Sequence, residues 1–159
     1  MGHDFDFIRL RTPPAGFPWA VPRTFGPDDF EAFGDPHKLL DRLIARPDFS
    51  AVGTAECTWA TPDGGSLSFA LRTARGTSEQ VRQLLTPQAY QALGDVSAFE
   101  ASAGEWLRVG AQADWRYVLE AYEFLRPLYP GLLILDSQAA LVHDGASFAD
   151  LVVASHARR

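Results

Sequence analysis

Leu132, Leu133, Ile134 and Leu135 form a run without a polar face, and no other stretch constrains the chain as much. A strand of alternating polarity can leave one side in water. Consecutive large aliphatic residues cannot, so this run predicts a short strand covered on both sides. The residues before it supply part of the cover: Trp115, Val118, Leu119, Tyr122 and Leu125 recur at helical spacing and make one apolar stripe. Asp114 stands where a helix start needs an acceptor for its unpaired amides and a negative charge near the positive end of the dipole. Pro127, Pro130 and Gly131 end that helix. After the strand, Asp136-Ser137-Gln138-Ala139 reads as a tight turn into a second strand, Ala140–His143.

Elsewhere the elements are shorter. Phe5–Leu10 reads as a strand in which Phe5 and Phe7 share one face and Ile8 and Leu10 the other, so it is buried on both sides or carries a bulge. Pro13–Pro27 holds five prolines with Phe17, Trp19, Val21 and Phe25 between them, an irregular apolar strap fit to lie over a core edge or to bind a partner. One helical turn is expected within Pro27–Phe33. Asp35 and Pro36 open a helix that buries Leu39, Leu40, Leu43 and Ile44 and ends by Arg46, before Pro47. Ala55–Ala60 and Ser66–Leu71 alternate as a hairpin about Pro62-Asp63-Gly64-Gly65, with a smooth outer face of Thr58, Ser66, Ser68 and Ala70. Capping patterns at Thr77–Gln80 and Ser97–Glu100 predict short helical turns from Ser78 to Ser102. Trp106–Val109 follows as a strand, and a last helix opens at Asp144 or Ser147. One contiguous core is expected to unite Trp115, Tyr122, Leu133, Leu135, Trp59, Phe69 and Leu43.

A chain of 159 residues, 47% of them hydrophobic, buries enough surface for one domain over 1–159 without disulfides or metal. The single cysteine, Cys57, alternates with Ala55 and Trp59 toward the core and reads as an inert buried thiol. The opening MGHDFDFIRL has no basic region followed by an apolar run, and no stretch reaches the roughly 20 apolar residues of a membrane span, so a cytoplasmic protein is expected. The net charge of −6, with Lys38 the only lysine, repels phosphate backbones and excludes nucleic acid as an expected partner.

For catalysis the candidates are Asp136, at the carboxyl end of the most apolar strand, with His143 and Asp144 across the hairpin. Asp136 serves equally as the first residue of its turn, which is the favoured reading. The four histidines show no ligand spacing, and there is no Cys-x-x-Cys, glycine-flanked serine elbow or phosphate-cradling loop, so neither metal nor cofactor is expected. Glu56 and Glu105 read as solvated strand residues. The element order predicts an α+β domain, an antiparallel or mixed sheet with helices mainly on one face.

In size, acidity and lack of catalytic motifs the chain resembles small bacterial immunity and adaptor proteins, a likeness of composition. It implies a non-catalytic protein-binding module. The surfaces open to a partner are the strap, with Phe17, Trp19, Val21 and Phe25 as binding residues, the smooth hairpin face and the acidic rim; acidity favours another protein of basic character, and homodimerisation is allowed. The alternative is a small hydrolase or transferase built on Asp136, His143 and Asp144.

Overall fold

Phe5, Asp6, Phe7 and Ile8 are consecutive and all inaccessible to solvent, which requires a strand with neighbours on both edges and cover on both faces. In the computed structural model, which describes residues 2–21, 27–73, 99–100 and 103–157, these residues belong to β1 (His3–Arg9). β1 lies between β6 (Glu105–Gln112) and β7 (Leu132–Asp136), with Phe5 opposite Val109 on one side and Asp136 on the other. The described strands form one antiparallel sheet in the order β2-β8-β7-β1-β6-β5-β4-β3. The outer members are β2 (Trp19–Ala20), β8 (Leu141–His143), β5 (Ser66–Thr73), β4 (Glu56–Ala60) and β3 (Phe49–Ala51). With α1 (Pro36–Ile44), α2 (Trp115–Leu125) and α3 (Gly145–Ala157) this is an α+β fold.

The helices start where the sequence places their caps. The Asp35 carboxylate accepts the His37 amide at 2.9 Å, and the Asp114 carboxylate accepts that of Arg116 at 3.0 Å. At α3, Asp144 and Ser147 cap reciprocally: Asp144 Oδ1 accepts the Ser147 amide at 2.8 Å, and Ser147 Oγ accepts the Asp144 amide at 3.1 Å. Between β4 and β5, Asp63 holds the turn and reaches beyond it. Its carboxylate accepts from the Thr61 hydroxyl at 2.6 Å, the Gly65 amide at 3.0 Å and the Asp114 amide at 3.0 Å, fastening the hairpin to the start of α2. Those three donors hold its pKa down at about 2. Gly65 is required there, since a Cβ would lie 2.4 Å from the Gln112 carbonyl oxygen.

Two hydrophobic clusters form where one was expected. Phe5, Phe7, Phe69, Trp59 and Ile134 join the buried residues of all three helices, among them Leu43, Tyr122 and Phe148. Ile8, Leu10, Leu133, Leu135 and Val142 join Val21, Phe30 and Phe99 instead. Successive residues of a strand point to opposite faces, so Leu133 and Leu135 cannot share a cluster with Tyr122, which packs against the Ile134 side. Trp115 is only partly buried against the first cluster.

The strap is more regular than its prolines imply. Trp19 and Ala20 pair with Val142 and Leu141 of β8, and the Val21 amide donates to the Ala140 carbonyl at 3.0 Å. An edge position tolerates flanking prolines because the outer backbone groups need no sheet partner. β6 runs over eight residues, longer than Trp106–Val109, and pairs with β5 from Gln112 to Glu105. Within Pro27–Phe33 the expected turn is a short 3-10 helix, Pro27–Asp29. The Thr77–Gln80 pattern and the short helical turns expected between residues 78 and 98 lie outside the described residues.

Candidate functional site

Asp136 ends β7 at 4% exposure, and its Oδ1 accepts the amides of Gln138 at 3.1 Å and Ala139 at 3.2 Å, as the first residue of a turn does. The same oxygen lies 2.8 Å from Nε2 of His3, which enters from β1 between Phe5 and Trp115. The pairing of β1 with β7 creates this contact across 133 residues, and no local pattern announces it.

His143 is 3% exposed and lies opposite Ile134 on β8. Its Nδ1 is 3.0 Å from Ser147 Oγ, and its ring meets Phe148 edge-on at 5.9 Å. Burial lowers its pKa, against the opposing pull of the Asp136 and Asp144 charges, so the neutral ring is favoured. Nε2 is buried and has no hydrogen-bond partner among the described residues.

His143 and Asp144 line an open cleft of about 720 Å³, walled on one side by the Pro13–Pro18 loop and on the other by Leu141, Ser147, Asp150 and Leu151. Asp136 does not line it. Of the three catalytic candidates, two share a cavity while the third is engaged by its own turn and by His3. Sequence reasoning took Ser147 only as a helix start and missed Asp150; helical spacing from Ser147 could have found Asp150, three positions on and on the same side of α3.

Of the strap residues expected to bind a partner, Val21 is 7% exposed and packed in the second cluster. Trp19 is half-buried against that cluster, stacked on Phe17 at 5.4 Å, and only Phe17 reaches the cleft. Phe25 lies outside the described residues. β2 carries Trp19, and with it the residue after the strand, Val21, which bonds Ala140, to the second cluster, where Val21 is buried and Trp19 packs against it.

A second polar cluster lies on the other side of β1. Arg108 holds Asp6 with two nitrogens, at 3.0 and 3.3 Å, and Glu100 at 3.0 Å. Burial raises the Glu100 pKa to about 7, with the Asp6 charge adding to the effect, and burial likewise raises that of Asp6. The signal was present in the sequence: a carboxylate between Phe5 and Phe7, in a strand buried on both faces, demands a cation. Glu105 is half-buried and accepts the Phe33 amide, so it is more than a solvated strand residue. Cys57 is 1% exposed, and burial pushes its thiol up to about 11, which leaves it unreactive near neutral pH. Among the described residues no three His, Cys, Asp or Glu side chains assemble as metal ligands.

The Ser147 hydroxyl is tied into the α3 cap, and no carboxylate among the described residues orients the imidazole from its far nitrogen. Comparison with known proteins gives no match to any protein-family model, curated protein or solved structure.

Proposed function

We propose that the chain is a non-catalytic protein-binding module, of the immunity or adaptor kind, whose partner presents basic side chains. The cleft beside α3 carries this reading: it has carboxylates from Asp144 and Asp150, apolar walls and, among the described residues, no lysine or arginine in its lining. A net charge of −6 supports it, since an acidic protein attracts a basic partner and speeds encounter. In this reading the sheet carries the surface, with buried residues of the three helices in the Phe5 and Phe7 cluster and strap residues in the other. We place the protein in the cytoplasm.

The hydrolase or transferase reading has one observation in its favour, the 3.0 Å approach of Ser147 Oγ to His143. Against it, Asp136 is absorbed by its turn.

Capture of partners on the immobilised chain, followed by reconstitution with the purified partner, tests the proposal. A complex that weakens with added salt and forms without chemical change in either protein is expected. Turnover of an ester, amide or phosphoester that vanishes in His143→Gln would replace binding by catalysis.

A further inference from the structure

We infer that the cleft beside α3 receives an arginine side chain of the partner, an assignment that rests on the protein-binding reading above. Its charge selects the sign of the ligand. Asp150 is exposed on α3 and makes no hydrogen bond or ion pair among the described residues, while Asp144 spends Oδ1 on the helix cap. With no lysine or arginine among the described residues of the lining, an anionic group would meet the two carboxylates.

His143 adds a second, independent reason. Ser147 Oγ accepts the Asp144 amide at 3.1 Å and lies 3.4 Å from the Asp144 carbonyl, which can take its proton. The ring tautomer that leaves no donor without an acceptor then carries its proton on Nδ1, given to Ser147 Oγ at 3.0 Å. Nε2 is left as a bare acceptor on a residue that lines the cleft and is only 3% exposed. A ligand that suits this site donates several hydrogen bonds, bears positive charge and has an apolar stem. The ammonium of lysine meets the first two needs as a compact, strongly hydrated point. The guanidinium is planar and weakly hydrated, donates in several directions at once, and stacks on aromatic and proline surfaces such as Phe17, Pro14 and Pro18.

The probe is the peptide acetyl-Gly-Gly-Arg-Gly-Gly-amide, with its lysine and citrulline counterparts, titrated into the isotope-labelled full chain and followed by NMR. Saturable shifts at Phe17, Ser147 and Leu151 are expected with arginine, together with movement of the His143 Nε2 resonance. Lysine should bind more weakly and citrulline not measurably. Asp150→Asn, at an exposed helix position, should weaken the arginine peptide about fivefold, the loss typical of one partly exposed charged contact. Citrulline or lysine binding as well as arginine, shifts confined to another surface, no saturable binding, or an unchanged affinity in Asp150→Asn would each overturn the assignment. The protein-binding reading fails separately. A partner protein that binds wild type and Asp150→Asn equally would leave that reading standing and remove this one, whereas peptide binding without any partner protein would do the reverse.

Discussion

The Oδ1 atom of Asp136 accepts two amides of its own turn and lies against His3, so its removal strands donors in a nearly closed environment. Asp136→Ala is therefore expected to cost about 1–3 kcal/mol, the penalty for leaving buried donors unpaired. Asp136→Asn keeps an acceptor oxygen facing the turn and should cost less than about 1 kcal/mol; chemical denaturation of the two variants checks the difference. Equal losses would mean that the charge facing His3, and not the turn, is what the fold needs. Glu100 gives a prediction of opposite sign. Its folded pKa of about 7 lies above its ordinary 4.5, so its contribution is fully present below pH 4.5 and is lost as pH rises through 7. Glu100→Gln imitates the protonated form and can keep an oxygen facing Arg108. Its denaturation midpoint should be flatter than that of wild type between pH 4.5 and 7, and higher above pH 7. A variant that tracks wild type across this window would show that Glu100 ionises freely in the folded state.

At the level of elements, β7 lends successive residues to different clusters, Ile134 to the helix-bearing one and Leu133 to the one under the strap. Leu133→Ala should cost about 2–5 kcal/mol if the smaller cluster is packed like an ordinary interior. A loss below about half a kcal/mol, outside that range, would mean that the strap covers Leu133 only loosely. Tyr122 joins α2 to the same strand through its hydroxyl, which donates to the Leu132 carbonyl at 2.7 Å. The helix and the strand were each legible in the sequence, because 3.6-residue spacing and an unbroken aliphatic run are local patterns. Their division between two clusters was not, because the tally of apolar residues in a stretch does not say which face each one meets. The same limit hid the cleft. Its strap loop and its α3 wall are more than a hundred residues apart in sequence, so His143 and Asp144 could be singled out as chemical groups while the cavity that joins them to Phe17 could not.

Across the whole molecule, the hairpins of neighbouring strands followed from turn residues, but the central place of β1 did not. That place arises from pairing with β6 and β7, both about a hundred residues or more downstream, and only the buried doublets Phe5/Phe7 and Ile8/Leu10 hinted at it. The order of the sheet now predicts an order of local stability. β1 has a strand on each edge and a hydrophobic cluster on each face, whereas β2 and β3 have two and three residues and, among the described residues, one strand neighbour apiece. Opening an edge strand breaks few hydrogen bonds and exposes little apolar surface; opening β1 separates the two halves of the sheet. In native-state amide exchange, the hydrogen-bonded amides of Phe5–Ile8 should exchange only through global unfolding, with a denaturant dependence equal to that of the whole protein. Those of β2 and β3 should exchange earlier and with little dependence on denaturant. If the Val21 amide, bonded to Ala140 beside β2, is instead as protected as those of β1, the strap opens only with the rest of the fold, and the cleft wall it forms is fixed before any ligand arrives.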